Sequence, residues 1–133
     1  MRITAKLQNG SNLFMQYQHF TISDADSGYR LYFNQTKLNE TYLLGDCFSA
    51  LYGAQFSAFN RDRDEADDVN CAARHGGGWW FRGSECSTCN PTGPLRPPAA
   101  DGVTRSGVDD EAFWKENMGD LAMRKISMYL VVL

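Results

Sequence analysis

The sequence lacks the features of several common classes of protein. No apolar run reaches the roughly 20 residues that a membrane-spanning helix needs, and the longest, residues 128–133, has the length of a strand. Basic residues are not in excess, since 13 lysines and arginines against 16 acidic residues give a net charge of −3. An acidic chain lacks the positive surface that phosphate groups require, so we expect no nucleic-acid partner.

Residues suited to nucleophilic catalysis are also scarce. The chain has two histidines, His19 and His75, and no Gly-x-Ser-x-Gly motif. His75 stands near cysteines, but acidic surroundings disfavour the thiolate that a nucleophilic cysteine needs. The glycines at 76–78 precede aromatic residues and not a helix, so they do not form a phosphate-binding loop. The sequence therefore does not predict an enzyme.

Four cysteines are present, an even number that allows two disulfides in three connectivities. They are Cys47, Cys71, Cys86 and Cys89. Cys71, His75, Cys86 and Cys89 also have a spacing that a tetrahedral Cys3His zinc site could use. On spacing alone, a Cys71–Cys86 disulfide and a zinc site are equally good interpretations.

The first third of the chain has the pattern of an antiparallel meander with one buried face. Strands are predicted at residues 2–7, 13–22 and 28–33, with a tight turn at Asn9-Gly10. The tail, 126–133, is predicted to be a strand that closes the sheet, with 128–133 in the same sheet as 13–22 and 28–33. We find no internal repeat.

The rest of the chain has little periodicity. Residues 44–51 suit a short helix with Asp46 as its N-cap, and 108–118 begin with acidic residues that favour a helix N-terminus. Between them, 58–95 are rich in Asp, Gly, Cys and Asn, and 93–100 are rich in proline. A compact region of this kind usually needs disulfides or a metal to hold it together.

An acidic loop offers a candidate cation site. Asp62 and Asp64 are two residues apart, so a tight loop can bring their carboxylates to one side. Calcium takes six to eight oxygen ligands, partly from backbone carbonyls, and suits such a loop. The loop is not an EF-hand, because the expected glycine and closing glutamate are absent. A solvated acidic loop is the alternative interpretation.

A longer pattern resembles a known family. Phe56-Ser57, Asp62-x-Asp64, Asn70-Cys71-Ala72, Gly78-Trp79-Trp80-Phe81 and Cys86 follow one another in the order and approximate spacing seen in fibrinogen C-terminal domains. That family includes ficolins, tachylectins and angiopoietins. Gly45-Asp46 and Trp114-Lys115 agree with flanking segments of the family, so the resemblance covers nearly the whole chain.

The resemblance implies an α+β fold, with an antiparallel twisted sheet, short helices and a loop-rich subdomain for calcium and ligand. We expect one domain, 1–133, with the central sheet at 1–55 and 121–133 and the loop-rich part at 56–120. The family's N-terminal subdomain is expected to be missing, which makes the domain a partial or reduced one.

The resemblance also implies specific bonds in the loop-rich part. It places the side chains of Asp62 and Asp64 and the backbone carbonyls of Ala66 and Asp68 on calcium. It pairs Cys71 with Cys86 in a disulfide. Cys47 and Cys89 have no family counterpart and are expected to be free or to form a second bridge.

A ligand pocket is implied beside the calcium site, of a kind that binds acetyl groups in lectin members of the family. By position it comprises His75, Glu85, Cys86, Ser87, Ala99 and Ala100, with a cis peptide before Cys86. Ala99 stands where sugar-binding members have tyrosine, and Ser87 where they have histidine. Acetylated sugars are therefore expected to bind weakly or not at all.

The resulting prediction is an extracellular, calcium-binding recognition module. Its ligand is expected to be an acetylated carbohydrate, as in lectin-like innate-immune members, or a protein, and an oligomer within a longer parent protein is compatible with the family. Sequons at Asn9, Asn34 and Asn39 slightly favour a secreted glycoprotein. No apolar segment follows Arg2, so the chain shows no secretory signal. A small Cys3His zinc protein remains the alternative.

Overall fold

The fold is described from a computed structural model, which covers residues 1–7, 10–36, 43–95, 111–118, 123–130 and 132. Its main element is a four-stranded antiparallel sheet of β1 (Arg2–Leu7), β2 (Asn12–Gln18), β5 (Gln35–Thr36) and β8 (Met123–Tyr129). The strand order is β5-β2-β1-β8, so the C-terminal strand lies at one edge beside β1.

Buried and more exposed side chains alternate along β1 and β2, which decides which face of the sheet is buried. Ile3 and Ala5 of β1 and Met15 and Tyr17 of β2 have at most 1% of their surface exposed. Successive side chains of a strand point to opposite faces, so these residues share one face. Ile3 lies opposite Met15 in the antiparallel register, which builds a continuous apolar layer.

The strand predicted at 13–22 is interrupted. His19 has a φ of 52°, in the left-handed region, which ends β2 and turns the chain before β3 (Thr21–Ile22). β3 pairs with β4 (Leu31–Tyr32) in a separate two-stranded sheet. The prediction of one strand through these residues, in one sheet with 28–33, was therefore wrong.

The strand predicted at 28–33 is shorter than expected. Gly28 and Tyr29 both have positive φ, 87° and 54°, so the chain is not extended there and β4 begins at Leu31. The positive φ of Gly28 favours glycine at this position, because residues with a Cβ rarely adopt it.

The tail does join the main sheet. β8 pairs antiparallel with β1, with Ile3 opposite Met128, so the prediction that 128–133 lies in the sheet of 13–22 is confirmed for Met128 and Tyr129. Leu130 follows the end of the strand, and residues 131 and 133 lie outside the described residues.

The helices are also shorter than predicted. α1 spans Phe48–Leu51, and Cys47, not Asp46, occupies the N-cap position. The Asp46 carboxylate still accepts a hydrogen bond from the Ser49 N–H at 3.1 Å, which satisfies a free donor of the first turn. α2 spans Cys71–His75 and is capped as expected for asparagine, since the Asn70 side chain accepts a hydrogen bond from the Ala73 N–H.

Segment 108–118 was ambiguous from the sequence, and in its described part, 111–118, the helix that its acidic start would suit is not formed. Phe113–Trp114 forms strand β7, which pairs with β6 (Cys89–Asn90). α3 (Lys115–Met118) is a single irregular turn, because Asn117 has a φ of 56°. Residues 108–110 lie outside the described residues, as do Asn9 and the Pro-rich segment after Leu95.

An aromatic cluster around α1 joins the sheet to the loop-rich part. Phe48 has no exposed surface and stacks on Tyr17 at a centroid distance of 4.5 Å. It also contacts Trp79 at 5.4 Å and Trp114 at 6.1 Å. Because aromatic residues bury large apolar areas, this cluster carries much of the packing energy of the domain.

Two disulfides stabilise the loop-rich part. The predicted Cys71–Cys86 bridge is present, and Cys47 and Cys89, which were expected to be free or bridged, form a second disulfide. The first ties the start of α2 to the segment after Trp80, and the second ties α1 to β6. Within the described residues, no helix is long and apolar enough to cross a membrane.

Candidate functional site

The acidic loop begins with a tight turn that is anchored at its tip. Ala58 and Arg61 exchange backbone hydrogen bonds of 3.1 and 2.9 Å, which close a turn over Phe59 and Asn60. The Asn70 side chain donates to the Phe59 carbonyl at 2.8 Å. The turn is thereby linked to Asn70, the residue that caps α2, and the chain continues from the turn to Asp62.

The Asp64 carboxylate organises the loop that follows. Its Oδ1 accepts a hydrogen bond from the Ala66 N–H at 2.9 Å, and its Oδ2 accepts one from the Cys71 N–H at 2.9 Å. The Asp64 N–H in turn donates to Asp62 Oδ1 at 3.2 Å. The chain therefore curls around the Asp64 carboxyl group, with Asp62 beside it.

Desolvation raises the pKa of Asp64, and contact with the Asp62 carboxyl raises it further, whereas the bonds from the Cys71 and Ala66 N–H groups lower it. Two carboxylates held this close repel each other unless a proton or a cation lies between them. The arrangement therefore favours positive charge at this point of the loop.

The neighbouring arginines do not supply that charge. Among the described residues, neither Arg61 nor Arg63 forms a salt bridge with Asp62 or Asp64, and the ion pair of this region joins Arg82 to Glu65 at 3.7 Å. Arg63 donates instead to Gln55 Oε1 at 3.4 Å. The arginines thus leave both carboxylates open to another cation.

The described donors do not form a zinc site. In the described part of the chain, no three His, Cys, Asp or Glu side chains gather at one point. Two carboxylates completed by backbone carbonyls and water are a familiar set for calcium, which accepts irregular oxygen coordination. A Cys3His zinc site has no thiolates to use here, because all four cysteines are in disulfides.

The expected cis peptide before Cys86 is not found, since the described residues contain no cis peptide bond. Cys86 instead adopts a φ of 65°, and the Ser87 N–H donates to the Glu85 carbonyl at 2.8 Å. The tight turn at Cys86 is thus made by a left-handed residue with a trans peptide.

His75 is part of the core packing. Its ring stacks on Phe81 at 5.7 Å and meets the edge of Phe113 at 5.3 Å, and only 7% of its surface is exposed. The Asn90 side chain donates to the His75 carbonyl at 2.8 Å. His75 is therefore an aromatic packing residue, and little of it reaches solvent.

Ser87 packs against the Cys47–Cys89 disulfide. Its hydroxyl oxygen accepts a hydrogen bond from the Cys89 N–H at 3.1 Å and lies 3.7 Å from both Cys47 Sγ and Cys89 Sγ. Glu85 is exposed, and Ala99 and Ala100 lie outside the described residues. The predicted ligand pocket therefore remains a prediction, with only part of its wall described.

A cleft of about 440 Å³ lies on the acidic loop and was not predicted from the sequence. Its lining combines aromatic, amide and guanidinium groups from Tyr29, Phe56, Ala58, Asn60, Arg61 and Arg63. The alternation of Arg and Asp over residues 61–64 is the available sequence signal. Tyr29 is far away in the sequence.

Comparison with known proteins identifies the family. Residues 1–131 match the family model of the fibrinogen beta and gamma chains, C-terminal globular domain, so the chain belongs to this family. The chain is 38% identical over 78 residues to Protein scabrous of Drosophila melanogaster, and 26% identical over 139 residues to the fibrinogen alpha chain of Homo sapiens. These matches cover 59% and 96% of this chain, but 9% and 16% of the relatives.

Solved structures agree. The fibrinogen-like globe domain of human ANGPTL2 matches with a TM-score of 0.76 and 28% identity, over 94% of this chain and 54% of that domain. Lamprey fibrin D-dimer, complexed with the peptide Gly-His-Arg-Pro-amide, matches with a TM-score of 0.74 over 94% of this chain and 42% of that one. At 20% identity, the second match shows the fold alone. The predicted family and α+β fold are confirmed, and the chain spans about half of such a globe.

Proposed function

We propose that this domain is an extracellular recognition module that binds a protein ligand and uses calcium to order its acidic loop. Membership of the fibrinogen C-terminal family supports a recognition role, because fibrinogen-related domains are recognition modules. Two disulfides in so small a chain support an oxidising compartment.

One observation carries the calcium part of the proposal. Within the described residues no salt bridge reaches the carboxyl groups of Asp62 and Asp64, and burial, followed by the neighbouring Asp62, raises the pKa of Asp64. Calcium would supply the missing positive charge, with the backbone carbonyls of Ala66 and Asp68 as further ligands. Binding would then stabilise the loop through mass action.

The test is calorimetric titration of calcium into the native protein, together with melting curves. Asp62→Asn keeps an oxygen that can accept from the Asp64 N–H but removes the charge, so it should abolish or strongly weaken calcium binding. Asp67→Asn removes the same charge from an exposed neighbour that is not a proposed side-chain ligand, and should bind calcium nearly as the parent does. Equal heats for all three proteins, or no calcium-dependent rise in melting temperature, would reduce the loop to a solvated acidic turn.

A protein ligand is preferred to an acetylated sugar. His75 is packed between Phe81 and Phe113, and the Ser87 hydroxyl lies against the second disulfide, which supports a protein ligand over a sugar. We expect no saturable change in the NMR spectrum with N-acetylglucosamine, with or without calcium. Saturable binding that is lost on Glu85 or His75 substitution, in a variant that keeps its fold, would instead support the lectin-like function.

A further inference from the structure

We propose that the cleft beside the acidic loop is a binding site for an acidic segment of a protein partner. Its charge comes from Arg61 and Arg63, and its apolar wall from Tyr29 and Phe56. The site differs from the calcium loop, whose carboxylates do not line it, and from the Cys86 region.

The segment that carries the two arginines is held from both ends. The Arg63 N–H donates to Ser57 Oγ at 3.0 Å, and Ser57 is fully buried. Ser57 exchanges backbone hydrogen bonds of 2.9 and 3.1 Å with Trp79. Arg61 is fixed by the turn it closes with Ala58. The backbone of the cleft is therefore already ordered, which lowers the entropy cost of binding.

The two guanidinium groups have no anionic partner. Among the described residues, neither Arg61 nor Arg63 forms a salt bridge, and the lining contains no acidic side chain. Both arginines therefore have positive charge to offer an oxyanion in the cleft, and the planar guanidinium fork binds carboxylates in a bidentate manner.

The aromatic wall is also fixed in position. Phe56 meets the edge of Trp80 at 5.2 Å, and Trp80 Nε1 donates to the Tyr29 carbonyl at 2.7 Å. Tyr29 nevertheless keeps 47% of its surface exposed. An apolar side chain next to the anion could pack on these rings.

The composition favours a protein partner over a glycan. Tyrosine, phenylalanine and arginine are enriched in the cores of protein–protein interfaces and among the residues that dominate binding energy. Phe59, at the tip of the turn between Ala58 and Asn60, has 72% of its surface exposed and extends the apolar surface next to the cleft. A volume of about 440 Å³ accommodates one or two side chains and not a folded element.

The test uses two synthetic peptides and NMR titration of the ¹⁵N-labelled protein. The first is acetyl-Gly-Phe-Glu-Asp-Phe-Gly-amide, and the second replaces its two acids by Gln and Asn. We expect saturable shifts of the backbone signals of residues 58–63 with the acidic peptide, and at least roughly tenfold weaker binding of the neutral one. Added salt should weaken the acidic peptide's binding.

Variants assign the effect to the cleft. Arg61→Gln combined with Arg63→Gln should weaken acidic-peptide binding by roughly tenfold or more, while the two lysine substitutions should retain part of it. Arg124→Gln on β8 removes the same charge from another exposed position and should leave binding unchanged. If the Arg63 variant loses its fold, Arg61→Gln alone carries the test, since the Arg61 side chain is exposed.

Several outcomes would overturn the proposal: no peptide binding, equal binding of both peptides, or binding that the glutamine variants do not affect. A heparin-derived disaccharide that binds more tightly than the acidic peptide, with the same arginine dependence, would overturn the choice of a protein partner. Calcium affinity is measured on the same variants. The arginine variants should retain it, so failure of this site and failure of the calcium proposal are distinguishable.

Discussion

Removal of the Cys47–Cys89 disulfide should destabilise the domain more than removal of the Cys71–Cys86 disulfide. The comparison uses two double variants, Cys47→Ala with Cys89→Ala and Cys71→Ala with Cys86→Ala. All four side chains are fully buried, so each pair loses similar packing and the cavity costs largely cancel in the comparison. What differs is the length of chain that each bridge closes.

The bridges span sequence separations of 42 and 15 residues. In the chain-entropy account, a bridge across 42 residues lowers the entropy of the unfolded chain by an amount worth about 4 kcal/mol, and a bridge across 15 residues by about 3 kcal/mol. The longer bridge also ties α1, at the centre of the aromatic cluster, to β6. Because the Cys71–Cys86 bridge lies inside the longer loop and shortens the path that Cys47–Cys89 closes, the Cys47/Cys89 variant should lose roughly 0.5 kcal/mol more than the other.

Urea unfolding, followed by tryptophan fluorescence, measures the free energy of unfolding of the parent and both variants, and the fitted slope checks two-state behaviour. Thiol titration of the unreduced parent should find no free thiols, and mass spectrometry should find two hydrogens missing per bridge. A loss below about 1 kcal/mol for Cys47/Cys89, or the reverse order of the two variants, would refute the entropic reasoning. Thiols released together with zinc would refute the bridges themselves.

Three further measurements test the site and the packing. The pKa of the Asp64 carboxyl, measured by ¹³C NMR in calcium-free protein, should lie above the usual aspartate range, and calcium should lower it. Because the folded pKa is raised, this group makes the apo protein more stable as pH falls through that pKa. An ordinary pKa would contradict the burial of this carboxyl and its contact with Asp62. Gly77→Ala should lower the free energy of unfolding by roughly 1–3 kcal/mol in the same urea assay, since its Cβ would clash with the Thr92 carbonyl oxygen. Gly83→Ala should lower it less, because that site has open space and only a positive φ to accommodate. Phe48→Ala should cost roughly 3–5 kcal/mol and reduce the near-UV circular dichroism of the rings around it, and a loss under 1 kcal/mol would show that those rings repack.

Local chemistry in the sequence determined the family, the predominance of antiparallel strands, and the Cys71–Cys86 pairing implied by the resemblance. Alternation of apolar residues identified β1 directly, because a period of two places Ile3, Ala5 and Leu7 on one face whatever follows. The acidic loop was also visible, because the two aspartates are only two residues apart and their contact is local.

Single-residue backbone conformations were not visible in the sequence. His19, Tyr29 and Asn117 all have positive φ without being glycine. Each ends or bends an element that the side-chain pattern extends further. A left-handed φ at such residues is disfavoured locally and is kept only because the surrounding contacts outweigh its cost.

Long-range pairings required the tertiary structure. Nothing local connects Cys47 to Cys89, 42 residues away, or brings Tyr29 to the arginines at 61 and 63. These contacts form because the sheet and the aromatic cluster fold segments that are distant in sequence onto one another. Asp62 and Asp64 could thus be predicted as a pair, while the arginine cleft on the same loop appears only when its aromatic wall is in place.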